Sequence, residues 1–429
     1  MTTINGKQFA KLIMITPGNN NKYYNMPENS NGTFTAEWGR VDVTSSTQDY
    51  PMSKWDRKYN EKIKKGYEDK TDLYLETETT DSTTSSFPSG KLAFNEPPDV
   101  VQFVMQLMAY ADDSIKQNYT VTVSKVTQVQ LDEVQKYLDE LVAYTAVRPF
   151  VYAKFNEILL NIYKTLPRRM SNVKDYLLST RTKATDMNNL IAAEQDLLDT
   201  MAGQYKSAKQ MQAKTPTKSK TKGQNDKTLE ELFGIKIEPT NKTDDDLIKK
   251  MLGPNANQFV RAFKVTNLET EEVSKKWYTK LKTNHGQHQA WTDNKLFWHG
   301  SRNQNWFSII TTGLTIRPAK AVRTGAMFGS LGTYFANKAQ KSIGYTSLSG
   351  SYWSHGNDNR AYMGIYEVFL GRTKHITKWS SDCTTLCKDK LNKQGYDSVF
   401  AEKGADLRND EYITYDDAQT TIRYIVEIK

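Results

Sequence analysis

The sequence predicts a multidomain protein in which an all-α helical bundle precedes a β-rich α+β domain, and three observations predict it. The first is length: 429 residues make two to four domains of roughly 100–200 residues each. The second is a pair of polar stretches without apolar periodicity, residues 76–90 and 213–228, which divide the chain into segments of domain size. The third is a change of hydrophobic period, from helical in the middle segment to alternating in the last.

In chain order, residues 1–75 form a first domain, 76–95 a linker, 96–212 the helical domain, 213–228 a Lys-rich linker and 229–429 the last domain. Val100, Val104, Leu107 and Met108 recur on one helical face, as do Leu131, Val134, Leu138, Leu141 and Val142. Two further stripes follow, Phe155, Ile158, Leu159 and Ile162, then Leu190, Ala193, Leu197, Leu198 and Met201. Pro97-Pro98 and Pro167 punctuate the helix ends. Such stripes form the core of a bundle. The last domain alternates instead: residues 259–265, 364–370 and 422–428 read as strands bounded by glycine and turn residues.

With 38% hydrophobic and 11% aromatic residues, most of the chain is expected to fold. No run approaches the roughly 20 apolar residues of a membrane span, and Met1-Thr-Thr-Ile-Asn-Gly-Lys7 is not a basic-then-apolar export signal. A soluble, intracellular protein is therefore expected. Cys383 and Cys387, the only cysteines, are too few for a disulfide framework or a four-thiolate zinc site and read as free thiols. The histidines show no metal-ligand spacing, so no metal is expected. The net charge of +9 is uneven: residues 206–228 carry seven lysines against one acid, and 229–429 carry 28 basic against 22 acidic residues. The short tract is a solvated linker, and Lys214–Lys222 within it would serve as a nuclear address in a eukaryote.

Within the last domain stand Leu296-Phe-Trp-His-Gly-Ser-Arg302, Thr324-Gly-Ala-Met-Phe-Gly-Ser-Leu-Gly-Thr-Tyr-Phe-Ala336, Lys341-Ser-Ile-Gly-Tyr345 and Asn409-Asp-Glu-Tyr-Ile-Thr-Tyr415. In this order they resemble the catalytic domain of poly(ADP-ribose) polymerases. Ahead of them, Asn21-Lys-Tyr-Tyr24, Glu37-Trp-Gly-Arg-Val41 and the basic run Lys54–Lys65 resemble a WGR domain, a small β-rich α+β module. The middle helices resemble the family's helical regulatory domain. The resemblance implies an ADP-ribosyltransferase that takes NAD as substrate and is activated by DNA ends or breaks. It would pass ADP-ribose to protein acceptors, itself included, and release nicotinamide, in the DNA-damage response. Two alternatives stand beside it: transfer of single ADP-ribose units, and a catalytically idle scaffold that binds DNA ends. A scaffold would not need His299, Tyr334 and Glu411 together. The compartment implied is nuclear in a eukaryote and cytoplasmic in a bacterial or viral setting.

The resemblance also implies roles residue by residue. Glu411 matches the catalytic glutamate: a carboxylate beside the ribose stabilises an oxocarbenium-like state and polarises an incoming hydroxyl. His299 matches an NAD-binding histidine whose neutral ring offers one donor and one acceptor, with Ser301 assisting on the adenosine side. Gly300, lacking Cβ, would let backbone groups approach the nicotinamide carboxamide. Tyr334 and Tyr345 match a pair of rings that sandwich nicotinamide, Ser342 a carboxamide-binding hydroxyl, and Lys341 a lysine beside Glu411. Trp38 and Arg40 match WGR residues that meet a nucleic-acid end, and Lys54, Arg57 and Lys58 lie in a basic run suited to phosphates. A core Trp38 and solvated lysines are the plainer alternative. There is no Gly-x-Gly-x-x-Gly, so NAD is not expected on a Rossmann fingerprint. Asn409-Asp410 stand where polymer-forming members carry Tyr-Asn, and Thr315 where an Arg is usual near the adenosine. These departures bear on elongation and on NAD affinity. Leu190–Met201, with Glu194, Asp196 and Asp199, resembles a gating helix whose acids would face the NAD pyrophosphate.

Overall fold

A computed structural model of the chain describes residues 3–4, 6–41, 43–74, 94–179, 184–213, 227–285, 295–315, 327–329, 331–404 and 407–429. Most of the two expected linkers, and Thr324 to Ala326 of the second motif, lie outside them. The chain divides into two compact units, residues 1–89 with 113–205, and residues 90–112 with 206–429. One boundary, between Ser89 and Gly90, falls in the expected linker 76–95, and the other two cut through the helices Pro98–Asn118 and Ala184–Ala213.

The first unit opens with β1 (Thr3–Ile4), β2 (Lys7–Thr16), β3 (Asn20–Pro27), β4 (Thr33–Arg40) and β5 (Ser46–Pro51) in sequential order, and β6 (Glu68–Asp69) pairs with β2. Alternation decides which face is buried. Ala10, Leu12, Tyr24, Met26, Phe34 and Ala36 point to one side, where Trp55 of the helix Trp55–Lys64 closes the core. The helices Gln128–Tyr144, Tyr152–Thr165 and most of Ala184–Ala213 follow. The first starts at a capping box, in which the Thr127 side chain accepts from Gln130 N–H and Gln130 returns the bond. Leu131, Val134, Leu138 and Leu141, and Phe155, Ile158, Leu159 and Ile162, are buried as their spacing requires.

The last helix departs from its expected stripe. Ile191, Glu194, Gln195, Leu198 and Met201 are buried, whereas Ala193 is exposed and Leu190 and Leu197 are half-buried. Two polar side chains lie on the inward face because they have partners there. Glu194 accepts from Arg168 Nη2 at 3.3 Å and from the Tyr163 hydroxyl at 3.4 Å, and the Arg168 guanidinium lies 4.6 Å from the Tyr119 ring centroid. Glu194 is therefore turned into its own bundle and is not an acid presented to a pyrophosphate.

The second unit contains two sheets. One is antiparallel in the order β7 (Ile235–Pro239), β8 (Phe259–Asn267), β15 (Thr420–Ile428), β11 (Ala361–Val368), β9 (Lys295–Gly300). The other runs β10 (Thr333–Phe335), β14 (Glu411–Thr414), β13 (Ser398–Ala401), β12 (Thr373–Ile376), with β12 and β13 parallel. The three expected strands are β8, β11 and β15. A bridge between Trp298 and Ala336 joins the sheets. Trp298, Met363, Ile365 and Val426 form one core with Ile248 and Ile343, and Phe328, Val399 and Ile413 form a second with Leu386.

Residues 90–112 belong to this unit: Phe103 stacks on Phe263 with centroids 4.3 Å apart, and Tyr110 meets Tyr362 edge-on. The expected linker ends early. Phe94 is buried against Phe233, and Asn95 N–H donates to Lys227 O, so these two residues fold with the second unit.

Candidate active site

Four elements of the second unit bring the matched residues together: the end of β9, β10, the start of β14 and the helix Ala339–Ile343. β10 pairs with β14 so that Tyr334 lies opposite Ile413. Glu411, two residues earlier, shares that face of the sheet by alternation. Tyr334 is pinned at its hydroxyl, which donates to Gly329 O at 2.8 Å and accepts from Phe328 N–H at 3.1 Å.

His299 is the penultimate residue of β9, with its Nδ1 3.0 Å from Tyr334 O. A carbonyl only accepts, so Nδ1 carries the proton and Nε2 is the acceptor of the neutral ring. Gly300 is required by packing as well. A Cβ there would lie 2.0 Å from Ser342 O, so the missing side chain makes room for the helix backbone of this chain. Ser342 is buried directly behind it. Ser301 Oγ accepts from Asn305 Nδ2 at 3.2 Å, and its carbonyl accepts from Trp306 Nε1.

The centre of the site is an ion pair between Lys341 and Glu411 Oε1. Glu411 is only 5% exposed, and its second oxygen, Oε2, is buried without a hydrogen-bond partner. A lone carboxylate oxygen in that state is an acceptor awaiting a donor. Burial pushes the Glu411 carboxyl above the ordinary glutamate range, opposed by the Lys341 charge and hydrogen bond. Burial likewise pulls the Lys341 ammonium below the ordinary lysine range, opposed chiefly by Glu411 and also by Asp410. Both charged forms are thus costly, and each is sustained by the other.

Tyr345 lies within electrostatic reach of that pair: burial first, and then the Glu411 charge, push its hydroxyl up to about 12. Its ring stacks on Trp353, at 6.2 Å and 22°. Sequence reasoning missed Trp353, whose only signal was an aromatic pair in a Ser/Gly-rich loop. It also missed a clamp at Asp410, whose carboxylate accepts from Asn337 Nδ2 at 3.0 Å and from Lys403 N–H at 2.9 Å. Thr315 lines a cavity of about 220 Å³ together with Thr270, Leu314 and Tyr366, whose ring lies edge-on to His299 at 6.0 Å. None of the matched residues lines that cavity. Among the described residues no group of three or more His, Cys, Asp or Glu could hold a metal.

The DNA-contact residues expected in the first unit are half structural. Trp38 is half-buried and stacks on its cross-strand neighbour Tyr24 at 5.9 Å. Arg40 donates to Asn19 O, Asn19 Oδ1 and Ser171 O, at 2.7–3.1 Å. Lys54 and Arg57 are exposed, while the Lys58 ammonium lies over the Tyr50 ring and 3.8 Å from Glu61.

Residues 241–429 match the family model described as the poly(ADP-ribose) polymerase catalytic domain. The uncharacterized protein 101L of Invertebrate iridescent virus 6 is 32% identical over 198 residues, which is 46% of this chain and 78% of that protein. The putative poly [ADP-ribose] polymerase-like 100L of the same virus is 34% identical over 137 residues, 31% of this chain and 70% of that protein. A poly [ADP-ribose] polymerase of Sarcophaga peregrina is 26% identical over 371 residues, 77% of this chain but only 34% of that longer protein.

Proposed function

The chain belongs to the poly(ADP-ribose) polymerase family and is an NAD ADP-ribosyltransferase, and from that premise we propose that it is activated by DNA ends or breaks and modifies proteins, itself included. The observation that carries the chemistry is the buried Lys341–Glu411 pair with its unpartnered Glu411 oxygen. In the proposed reaction the bond between nicotinamide nitrogen and ribose C1′ breaks, the electron pair leaves with nicotinamide, and positive charge develops on the sugar. Glu411 faces that charge. Its free oxygen accepts first from a ribose hydroxyl and then takes up the proton of the acceptor group as the new C1′ bond forms. Lys341 keeps Glu411 ionised. His299 Nε2 accepts from a ribose hydroxyl, Ser301 assists on the adenosine side, and Tyr334 and Tyr345 sandwich nicotinamide against Gly300 and Ser342.

DNA sensing is assigned to the first unit, with Trp38 and Arg40 at the nucleic-acid end and Lys54, Arg57 and Lys58 on phosphates. Support comes from the exposed Lys54 and Arg57 and from the resemblance of the Glu37–Val41 segment. The same reading places the protein inside the cell, in the DNA-damage response. Labelled NAD incubated with the chain, with and without nicked DNA, tests it. Nicked DNA is expected to raise incorporation in the wild type, and the Trp38→Ala and Arg40→Ala variants to lose the rise while keeping the basal rate. Equal incorporation with and without DNA would end the DNA-dependent reading. On the denaturing gel, a discrete shifted band instead of a ladder would assign single-unit transfer, consistent with an Asp410 whose two oxygens are already engaged.

A further inference from the structure

We propose that Trp353 is a positioning residue of the transfer site: its indole backs the Tyr345 ring and fixes the plane on which nicotinamide stacks. The proposal rests on the reading of Tyr345 as a nicotinamide-stacking ring. Trp353 and Tyr352 are 46% and 61% exposed, so the fold gains little by burying them. Their loop is nevertheless held closely. Trp353 N–H and Ser354 N–H both donate to Gly344 O, at 2.8 and 3.1 Å, and the Ser354 hydroxyl donates to Thr346 O. Gly356 N–H donates to Ser351 Oγ at 2.7 Å, and His355 adopts a φ of 48°, a conformation that non-glycine residues rarely take.

These constraints lay the indole beside Gly344, where an added Cβ would come within 3.2 Å of Trp353 Cδ1. Gly344 and Tyr345 are consecutive, so the same placement sets indole and phenol planes 22° apart at 6.2 Å. Tyr352 then meets the indole edge-on at 4.6 Å and 89°. With Trp353 against one side of Tyr345, a flat ligand uses the other side. A ring braced in this way loses less freedom when the ligand stacks than a ring free to tilt into solvent. Bracing of this kind acts alike on bound substrate and transition state, so it sets KM and leaves kcat alone.

Steady-state kinetics of the full chain with NAD, and inhibition by nicotinamide, test the proposal in Trp353→Ala, Trp353→Phe and Tyr345→Ala. In Trp353→Ala, KM for NAD and the inhibition constant of nicotinamide are expected to rise together by about three- to tenfold, with kcat within about twofold of wild type. The melting temperature should be unchanged, and Trp353→Phe should restore most of the loss. An unchanged KM in Trp353→Ala beside a raised KM in Tyr345→Ala overturns the role of Trp353 alone. So does a Trp353→Ala protein that loses kcat and melting temperature together, which marks a structural role. Unchanged constants in Tyr345→Ala overturn the stacking reading beneath it.

Discussion

A carboxylate and an ammonium withdrawn together from water each need the other to stay charged, and that dependence governs how the Lys341–Glu411 pair responds to pH. With the Glu411 carboxyl pushed up by burial, acidification protonates it sooner than an ordinary glutamate. With the Lys341 ammonium pulled down by burial, alkalinisation discharges it sooner than an ordinary lysine. Activity that needs both charges thus has a narrower pH window than two isolated groups would give. Lys341 acts on Glu411 only in the direction that lowers its pKa, through charge and hydrogen bond. Lys341→Ala removes both influences. The acid limb of a kcat/KM profile for NAD is therefore expected to move to higher pH in this variant, and a limb that stays in place would show that Glu411 is not the group titrating there. The sign for stability is opposite: a carboxyl whose folded pKa is raised stabilises the fold in its protonated form and loses that contribution as pH rises through the folded pKa. Neutralising Glu411 relieves its own cost of burial but leaves the Lys341 ammonium without its counter-charge, so the two effects on stability oppose each other.

Among elements, the approach of β9 to the helix Ala339–Ile343 is the tightest constraint on the site, and Gly300 permits it. A methyl group 2.0 Å from Ser342 O has no room, and the obstacle is backbone, so β9 or the helix must move. Because that helix carries Lys341 and Ser342, Gly300→Ala is expected to lower NAD turnover at least about tenfold and stability by about 1–3 kcal/mol, read by kinetics and urea unfolding. Turnover and unfolding like those of wild type would contradict the packing argument. The motif shows at Gly300 that a Cβ is excluded but not that the Ser342 backbone is what excludes it. The long strands were legible since β8, β11 and β15 carry clear apolar patterns, whereas β10, β12 and β13, at three or four residues, are too short to show one. The inward face of Ala184–Ala213 was misread because Glu194 and Gln195 occupy core positions. Only the distant Arg168 and Tyr163 make Glu194 a core residue, and no local pattern encodes them.

At the scale of the whole molecule, the compact units follow the expected segments at Ser89/Gly90 but not within the helices Pro98–Asn118 and Ala184–Ala213. The polar stretches mark where composition changes, yet Phe94 and Asn95 fold against Phe233 and Lys227, far along the chain. The compact units form from two separate stretches each, a property of long-range contacts that sequence composition does not contain. The matched catalytic residues, by contrast, all lie between His299 and Glu411 in one unit, so their motif order carried over into one site. The account of that site turns on Glu411. Glutamine keeps the shape and an acceptor for Lys341 but removes the charge that faces the developing cation, and losing one such interaction typically slows a reaction by ~10²–10³. The most direct measurement is the rate of nicotinamide release from labelled NAD by wild type and Glu411→Gln, after matched melting temperatures have been established. The expected result is a folded variant slowed by about a hundredfold or more, and a folded variant that releases nicotinamide at the wild-type rate would contradict the role of Glu411.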